Sequence, residues 1–367
     1  MRVRRHCQAS LLGIVLASAW LAGCGGSSSG GSGSAGRNAF LAVPQANAVA
    51  AYRVDTSSGN FKSVLGSPFS GGNSPISLAV HPSGKFVYTA NQASNDVSLF
   101  KVDSNTGALS EALPRAPAGL NPRAMVMDSG GDLIFVANET SNNISVFSVS
   151  ATDGTLSEVQ GSPFATGPRP VALALSPSNQ FLYVGSGSLA GVFGYAVASG
   201  GALGVISGSP FVVQSPPFSL AIDPAGHFLF AANFSVNTVS GMKIDGTTGA
   251  LALTPGSPFA TDTNPISVTV HPSGKFLYVA NLGKNDISVY TIDSDTGVTT
   301  QLEKSPFTAG TGPVFLTTDP AGNFLYACNQ TAKTVSQFAI NQDTGGIPAS
   351  TTSTTTQVAP AQLVFAK

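Results

Sequence analysis

The sequence predicts an all-β protein, a seven-bladed β-propeller with four antiparallel strands per blade. Two observations lead to this fold class. Each repeat holds four short runs rich in Val, Ile, Phe and Tyr that are separated by turn residues, as in strands joined by hairpins. The repeats themselves are marked by prolines at intervals of 47 or 48 residues, a period typical of propellers and solenoids. These are Pro75, Pro122, Pro170, Pro217, Pro265, Pro313 and Pro360.

The repeat that starts at Pro265 shows the predicted elements in order. A first strand follows the proline and ends at the turn His271-Pro272-Ser273-Gly274. A second strand begins at Phe276 and a third at Ile287, and a fourth ends in the Ser-Pro-Phe motif at 305–307. No run after the N-terminal segment keeps a 3.6-residue hydrophobic period long enough for a helix. The repeat is therefore a four-stranded blade.

The two ends of the repeat region predict how the ring closes. Phe40–Val43, Val49–Val54 and Asn60–Leu65 have the patterns of second, third and fourth strands, with no first strand before them. Gln362–Ala366 has the pattern of a first strand with nothing after it. Joining these segments in one sheet removes an exposed edge. The C-terminal strand is therefore expected to complete the N-terminal blade.

The first 23 residues predict a lipoprotein signal peptide. Three arginines precede an apolar run at Leu11–Trp20 that is too short for a comfortable membrane span. Leu21-Ala22-Gly23-Cys24 resembles the bacterial lipobox, which implies cleavage before Cys24 and lipidation of its thiol. The alternative is an ordinary secretory signal with a chance cysteine.

Three segments follow from this assignment. Residues 1–23 form the signal peptide, 24–37 the lipidated cysteine with a flexible Gly/Ser tether, and 38–367 the propeller. Gly25 after the cysteine resembles the outer-membrane sorting pattern of Gram-negative lipoproteins. We therefore expect a protein of the cell envelope that contacts the membrane through its lipid anchor only. We also expect it to be a monomer.

Composition excludes several classes of partner and cofactor. Charged residues make up 10% of the chain and the net charge is −1, so a basic surface for nucleic acid is not expected. Cys328 is the one cysteine of the predicted propeller, so no disulfide forms within it. The loop that starts at Asp293 begins like a calcium loop, but Lys304 stands where the closing Glu belongs. We expect no metal and no cofactor.

Two sequence columns are predicted to surround the channel mouth, where ligands of propellers bind. Each column contains one charged residue, Arg123 or Glu139, and both fall in the same repeat, while Arg169 adds a cation at the start of the next. A guanidinium could stabilise an oxyanion, and a carboxylate could act as a general base. The alternative is that Arg123 and Glu139 form a weak salt bridge on the rim. The columns are Ile76, Arg123, Val171, Phe218, Ile266, Val314 and Ala361, and Gln92, Glu139, Gly187, Phe234, Leu282 and Gln330.

The segments Asn121-Pro122-Arg123-Ala124 and Phe135-Val136-Ala137-Asn138-Glu139 resemble one blade of the seven-bladed lactonase-type propellers. That family includes bacterial 6-phosphogluconolactonases and fungal carboxymuconate-lactonizing enzymes. The resemblance implies metal-independent hydrolysis of a lactone, with Glu139 activating water and Arg123, together with Arg169, stabilising the oxyanion.

The chain departs from the family pattern at two histidines. Ala124 stands where the family has a histidine, and the preceding repeat has Ser74-Pro75-Ile76 where another is usual. The chain's own His81, His227 and His271 are predicted in turns on the opposite face. A non-catalytic propeller that binds an envelope protein or a glycan is therefore the alternative to a lactonase.

Overall fold

The computed structural model describes residues 36–348 and 352–366, and Cys24 with the predicted signal peptide lies outside them. The chain folds into seven antiparallel sheets arranged in a ring, and we number these blades 1 to 7 in chain order. First strands of neighbouring blades contact one another all the way round, including blade 7 with blade 1 and blade 1 with blade 2. The predicted seven-bladed propeller is confirmed.

The strands of the blades have the following bounds, given for blades 1 to 7 in turn. First strands are Leu363–Phe365, Pro75–Val80, Pro122–Met127, Pro170–Leu175, Pro217–Ile222, Pro265–Val270 and Pro313–Thr318. Second strands are Gly36–Val43, Phe86–Asn91, Leu133–Asn138, Phe181–Ser186, Phe228–Asn233, Phe276–Asn281 and Phe324–Asn329. Third strands are Ala48–Asp55, Asp96–Val102, Asn143–Val149, Gly191–Val197, Thr238–Ile244, Asp286–Ile292 and Thr334–Ala339.

The outer strand is split into two short pieces in five blades, a detail that the sequence did not predict. At the break, the serine of the Ser-Pro-Phe motif accepts a hydrogen bond from a third-strand N–H, as Ser162 Oγ does from Val146 N at 2.9 Å. Blade 2 has Leu113 in place of this serine, and its outer strand is continuous. The outer strands are Phe61–Ser63 with Phe69–Ser70, Leu109–Pro117, Leu156–Glu158 with Phe164–Ala165, Leu203–Val205 with Phe211–Val212, Leu251–Leu253 with Phe259–Ala260, Thr299–Gln301 with Phe307–Thr308, and Thr352–Thr355.

The C-terminal strand closes the ring as predicted. Leu363 is fully buried and pairs with Leu41, the next residue Val364 with Phe40, and Phe365 with Ala39. The N-terminal strand begins at Gly36, a few residues earlier than the expected Phe40. Blade 1 is therefore built from both ends of the repeat region.

The core lies between the blades because both faces of the second strands are covered. Tyrosines of these strands tie blades together by donating their hydroxyl hydrogen to a glycine carbonyl in a 3–4 hairpin turn. Tyr88 bonds Gly154 O at 2.7 Å, and Tyr326 bonds Gly59 O of blade 1 at 3.0 Å. Burial raises the pKa of these hydroxyls, which keeps them protonated as donors.

The described residues contain two helices, the three-residue 3-10 turns Pro44–Ala46 and Phe234–Val236. Neither approaches the length or hydrophobicity of a membrane-crossing segment.

Candidate active site

A cavity of about 360 Å³ opens at the end of the channel where the first strands begin, and we call this end the site face. All seven blades contribute to its wall through the residue that follows the repeat proline. This confirms the first predicted column as the lining of the mouth. Of the second column, Leu282 and Gln330 line the cavity. The seven residues of the first column are Ile76, Arg123, Val171, Phe218, Ile266, Val314 and Ala361.

The residue after the proline faces the cavity because it forms a β-bulge. In blade 3, Ala137 pairs with Ala124 and Asn138 pairs with Pro122, so that Arg123 has no partner in the ladder. The same register shift occurs at this position in blades 2, 4, 5, 6 and 7. A bulge redirects the side chain of its extra residue and is common beside active sites. The sequence analysis did not predict the bulge. The repeat proline that precedes the bulged residue in each of these blades was the signal that could have indicated it.

Arg123 is the one charged residue among the described residues that line this cavity. It is partly buried, and within the described chain no hydrogen-bond or ion-pair partner occupies its guanidinium. The polar lining residues Ser77 and Ser267 already accept backbone N–H groups of the next blade, at 3.0 Å each. The cavity lining is therefore uncharged except for the guanidinium of Arg123, which no carboxylate neutralises. Such a site is suited to a carboxylate, a phosphate or an oxyanion.

Glu139 directly follows the second strand of blade 3, and its carboxylate is bound by Arg169 of blade 4. Oε1 accepts from Arg169 Nη2 at 2.7 Å and from Nε at 3.2 Å. Oε2 lies 3.4 Å from Asn121 Nδ2, and the Glu139 backbone N–H donates to Asn121 O at 2.9 Å. The Glu139 side chain is 15% exposed and that of Arg169 is 53% exposed. The carboxylate is thus held by neighbouring side chains, and Glu139 is not among the residues that line the cavity.

The predicted alternative of an Arg123–Glu139 salt bridge is wrong, because Glu139 pairs with Arg169. Arg123 and Glu139 do lie at the same end of blade 3, as expected. Glu139 is joined through its backbone to Asn121, two residues before Arg123. Arg169 is therefore paired with the carboxylate, whereas Arg123 is unpaired and faces the cavity.

A repeated asparagine contact positions Arg169. Asn142, in the turn between the second and third strands of blade 3, accepts the Arg169 backbone N–H through Oδ1 at 2.8 Å. Equivalent contacts join Asn47 to Ser74 and Asn95 to Asn121 in the neighbouring blades. Because this contact joins blade 3 to blade 4, it fixes the start of blade 4 at Arg169 relative to the Glu139 carboxylate of blade 3.

Arg169 has a backbone φ of +51°, which is the left-handed region. The equivalent positions hold Ser74, Asn121, Asn264 and Gly312, also at positive φ. Glycine adopts this conformation without strain and asparagine tolerates it, whereas the Cβ of most other residues costs roughly 1–2 kcal/mol there. The ion pair with Glu139 is the observed interaction that offsets this strain.

The buried acceptor Asn121 Oδ1 lies beside the carboxylate and has no hydrogen-bond partner among the described residues. Asn138 Oδ1 is also buried without a hydrogen-bond partner among the described residues, but the equivalent oxygens of Asn233 and Asn329 in other blades are too. The unsatisfied oxygen of Asn121 is therefore the feature particular to this blade. Such an atom usually binds an ordered water.

The histidines lie as predicted in the turns between first and second strands, at the opposite end of the channel. His81 follows the strand that ends at Val80, and His271 follows the one that ends at Val270. Ala124 and Ile76, where the family resemblance leads one to expect histidines, both line the cavity. No imidazole reaches the cavity lining in the described part of the chain.

A second acidic group on the site face belongs to blade 6. Asp286 begins the third strand, and burial together with the nearby Asp262 raises its pKa to about 6. Asn281 Nδ2 donates to Asp286 Oδ1 at 2.7 Å. Nowhere in residues 36–348 and 352–366 do three or more His, Cys, Asp or Glu side chains form a group that could hold a metal ion.

The loops that begin with Asp103, Asp245 and Asp293 are Asx turns, as the sequence indicates. Asp293 Oδ1 accepts from the backbone of Asp295 and Thr296 at 3.1 and 2.8 Å. Cys328 is fully buried, and burial raises its thiol pKa, as expected for an inert core residue.

Comparison with known proteins places these features in context. The model of a family described as "Lactonase, 7-bladed beta-propeller" matches residues 34–172, 117–264 and 252–364. No curated protein sequence matches the chain.

Solved structures with the same architecture include the periplasmic gluconolactonase PpgL of Pseudomonas aeruginosa. It has a TM-score of 0.75 and 19% identity over 90% of this chain and 99% of that one. A protein of Bacteroides fragilis assigned as a 6-phosphogluconolactonase has a TM-score of 0.79 and 20% identity, over 92% and 99%. At this identity the likeness establishes the fold.

Proposed function

The chain belongs to the family of seven-bladed β-propeller lactonases, and we propose that it hydrolyses a cyclic ester at the cavity beside Arg123. The observation that carries this proposal is the unpaired guanidinium of Arg123 on a β-bulge in an otherwise uncharged cavity. The neighbouring fixed carboxylate of Glu139 supplies the second group that the reaction requires.

The proposed reaction begins when the lactone carbonyl oxygen binds to Arg123. A water beside Glu139 attacks the carbonyl carbon, and the carboxylate takes the proton that the water loses. The buried acceptor Asn121 Oδ1 could orient that water. Negative charge develops on the carbonyl oxygen, where the Arg123 guanidinium stabilises it.

The tetrahedral intermediate then collapses with cleavage of the ring C–O bond. The leaving alkoxide takes the proton back from Glu139, and the product is an open-chain hydroxy acid. Arg169 has a positioning role, because its two nitrogens hold Glu139 Oε1 at 2.7 and 3.2 Å. Held in this way, the carboxylate does not turn toward Arg123, which stays available to the substrate.

The alternative proposal is a propeller that binds an anion without turnover, including the carboxylate of an envelope glycan or protein. The absence of imidazoles from the described cavity lining, at Ala124 and Ile76, favours it. Both proposals predict binding to Arg123, and they differ only in whether Glu139 affects a rate.

The test is hydrolysis of a panel of aldono- and alkyl-lactones, followed by titration of acid release. For a lactonase we expect Glu139→Gln to abolish turnover, and Arg123→Ala to lower kcat/KM by about 10²–10³-fold, as for loss of an oxyanion donor. Glu303→Gln and Arg53→Ala are the matched controls, since both residues lie away from the cavity lining. Turnover that survives Glu139→Gln would refute the assigned base. Binding of the hydroxy acids without any turnover would support the alternative.

We also propose that the protein is a lipoprotein of the outer membrane, anchored through Cys24. The described chain begins at Gly36, which pairs with Asp55 at the end of blade 1 opposite the site face.

A further inference from the structure

The mouth of the channel has a charged side and an apolar side. Blade 3 carries a charged residue in both sequence columns, Arg123 and Glu139. Blades 6 and 7 stand opposite, because each lies three places from blade 3 in a ring of seven. Blade 6 carries an apolar residue in both columns, Ile266 and Leu282, and both line the cavity. The guanidinium of Arg123 therefore has an apolar wall across the cavity from it.

The apolar wall continues into the blades on either side of blade 6. Val314 and Phe315 of blade 7 and Phe218 of blade 5 line the same cavity and are half-buried, so part of each side chain remains accessible. Phe218 also packs on Phe234, with ring centroids 5.1 Å apart. Phe234 belongs to the second column, so blade 5 is apolar in both columns as well. The wall therefore spans three successive blades.

The β-bulge that turns Arg123 toward the cavity acts in the same way on the apolar side. The register shift skips Phe218 in blade 5 and Ile266 in blade 6, so neither residue has a ladder partner between the first and second strands. A bulge directs the side chain of its extra residue away from the regular pleat. The apolar wall is thus built by the same backbone feature as the cationic group opposite it.

The polar side chains of the cavity wall are mostly engaged by the fold. Ser77, Ser219 and Ser267 each accept a backbone N–H of the next blade, at 3.0 or 3.1 Å. The amide oxygen of Gln362 accepts a backbone N–H of blade 2. Among the uncharged polar side chains of the described lining, this leaves Gln330 without such a contact. The hydroxyl groups of a bound sugar lactone would find few free partners here, and each polar group buried without one costs free energy.

The charge of the lining argues against a phosphorylated substrate. Arg123 is the one charged residue that lines the cavity within the described chain, and in the proposed reaction it binds the lactone carbonyl oxygen. Arg169 is paired with Glu139 and does not belong to the lining. A phosphate group on the same substrate would therefore have no cation of the lining to bind, whereas an apolar group would have the wall of blades 5 to 7.

We propose, on the basis of the proposed lactonase activity, that the substrate is a lactone with an apolar alkyl substituent. Its carbonyl group binds at Arg123, and its alkyl chain packs on Phe218, Ile266 and Leu282. The cavity volume of about 360 Å³ lies at the lower end of the range for ligand sites, roughly 300–1,000 Å³. The substrate is therefore a single lactone ring with a short chain.

The test compares three lactones of the same ring size. They are δ-valerolactone, which has no substituent, δ-nonalactone, which has a butyl chain, and glucono-δ-lactone, which has hydroxyl groups. For each, kcat/KM is divided by the rate constant of spontaneous hydrolysis. We expect δ-nonalactone to exceed δ-valerolactone by roughly fourfold for each chain methylene that is buried, and glucono-δ-lactone to be the poorest substrate. Glucono-δ-lactone at or above δ-nonalactone would overturn this inference and leave the proposed function standing.

Leu282→Ala tests the wall directly. It should reduce the preference for δ-nonalactone over δ-valerolactone by roughly tenfold, because the chain loses a packing partner. Leu253→Ala is the matched control, since it removes the same atoms from a side chain that is 52% exposed on the outer strand of blade 5, and it should leave the preference unchanged. Phe218→Ala, at a position without a ladder partner, covers the case in which Leu282→Ala does not fold. A preference that survives in both wall variants would overturn the inference.

Binding of the product acids separates failure of this inference from failure of the proposed function. Hydrolysis of none of the three lactones would refute the proposed function, and calorimetry with 5-hydroxynonanoate and gluconate then decides the inference. We expect 5-hydroxynonanoate to bind more tightly than gluconate, and Leu282→Ala to weaken its binding. Gluconate binding that is equal or tighter, or no binding of either acid, would overturn the inference.

Discussion

Arg169 of blade 4 binds the carboxylate of Glu139 of blade 3, with 2.7 Å between Nη2 and Oε1. This contact crosses a blade boundary and is set by the asparagine contact from Asn142 to the Arg169 backbone. Because the carboxylate is engaged there, Arg123 remains free at the cavity. The functional proposal depends on this difference, in which Arg169 is paired with a carboxylate and Arg123 is not.

Two substitutions of Arg169 distinguish the effect of the ion pair on stability from the effect of backbone strain. Arg169→Gly and Arg169→Ala both remove the contact with Glu139, but only alanine retains a side chain at a φ of +51°. We expect the alanine variant to be less stable than the glycine variant by about 1 kcal/mol. Urea unfolding measures the difference. The same two changes at Arg53, which is paired on both sides within the strand Ala48–Asp55, should give the opposite order. An alanine variant at 169 as stable as the glycine variant would contradict the strain.

Leu363 tests the closure of the ring. It is fully buried and sits in the strand that joins blade 1. Leu363→Ala should lower the free energy of unfolding by about 2–5 kcal/mol because it leaves a cavity. Leu113→Ala removes the same atoms from a side chain that is 73% exposed, and should change stability by less than about 0.5 kcal/mol. Deletion of residues 358–367 should be more severe than either. Wild-type melting of the deletion variant would refute closure through this strand.

Asp286 gives the protein a pH-dependent stability. Its pKa in the folded state, about 6, lies above the value of 3.8 expected for an unfolded chain. The folded state therefore binds the proton more tightly, and ionisation of Asp286 reduces stability as pH rises from about 4 to about 6. Asp286→Asn should remove this part of the pH dependence and make the protein relatively more stable at pH 7.

The neighbouring Asp262 supplies a second measurement. Asp262→Asn removes a negative charge beside Asp286, and it should lower the pKa of Asp286 in a carboxyl NMR titration. Burial is the larger cause of the raised pKa, so part of the shift should remain. An unchanged titration would show that the two carboxylates do not interact.

Cys24→Ser tests the proposed anchor. Without the thiol no acyl chain can be attached, and we expect a soluble propeller with the same melting curve as the wild type. Metabolic labelling with a fatty-acid probe measures acylation directly. A wild-type protein that takes up no probe would contradict the lipoprotein proposal.

The sequence by itself determined the number of blades, the order of strands and the closure of the ring, because these follow from a period of 47 or 48 residues and from local strand patterns. It also placed Arg123 at the channel mouth, since all seven residues of that column occupy equivalent positions. Equivalent positions in a closed ring must face the same axis.

Only the tertiary structure decided how the charged groups are paired. Whether Glu139 binds Arg123 of its own blade or Arg169 of the next depends on the bulge at Arg123 and on the contact from Asn142, which are set by packing between blades. Contacts between blades join residues distant in sequence, and the repeat pattern does not specify them.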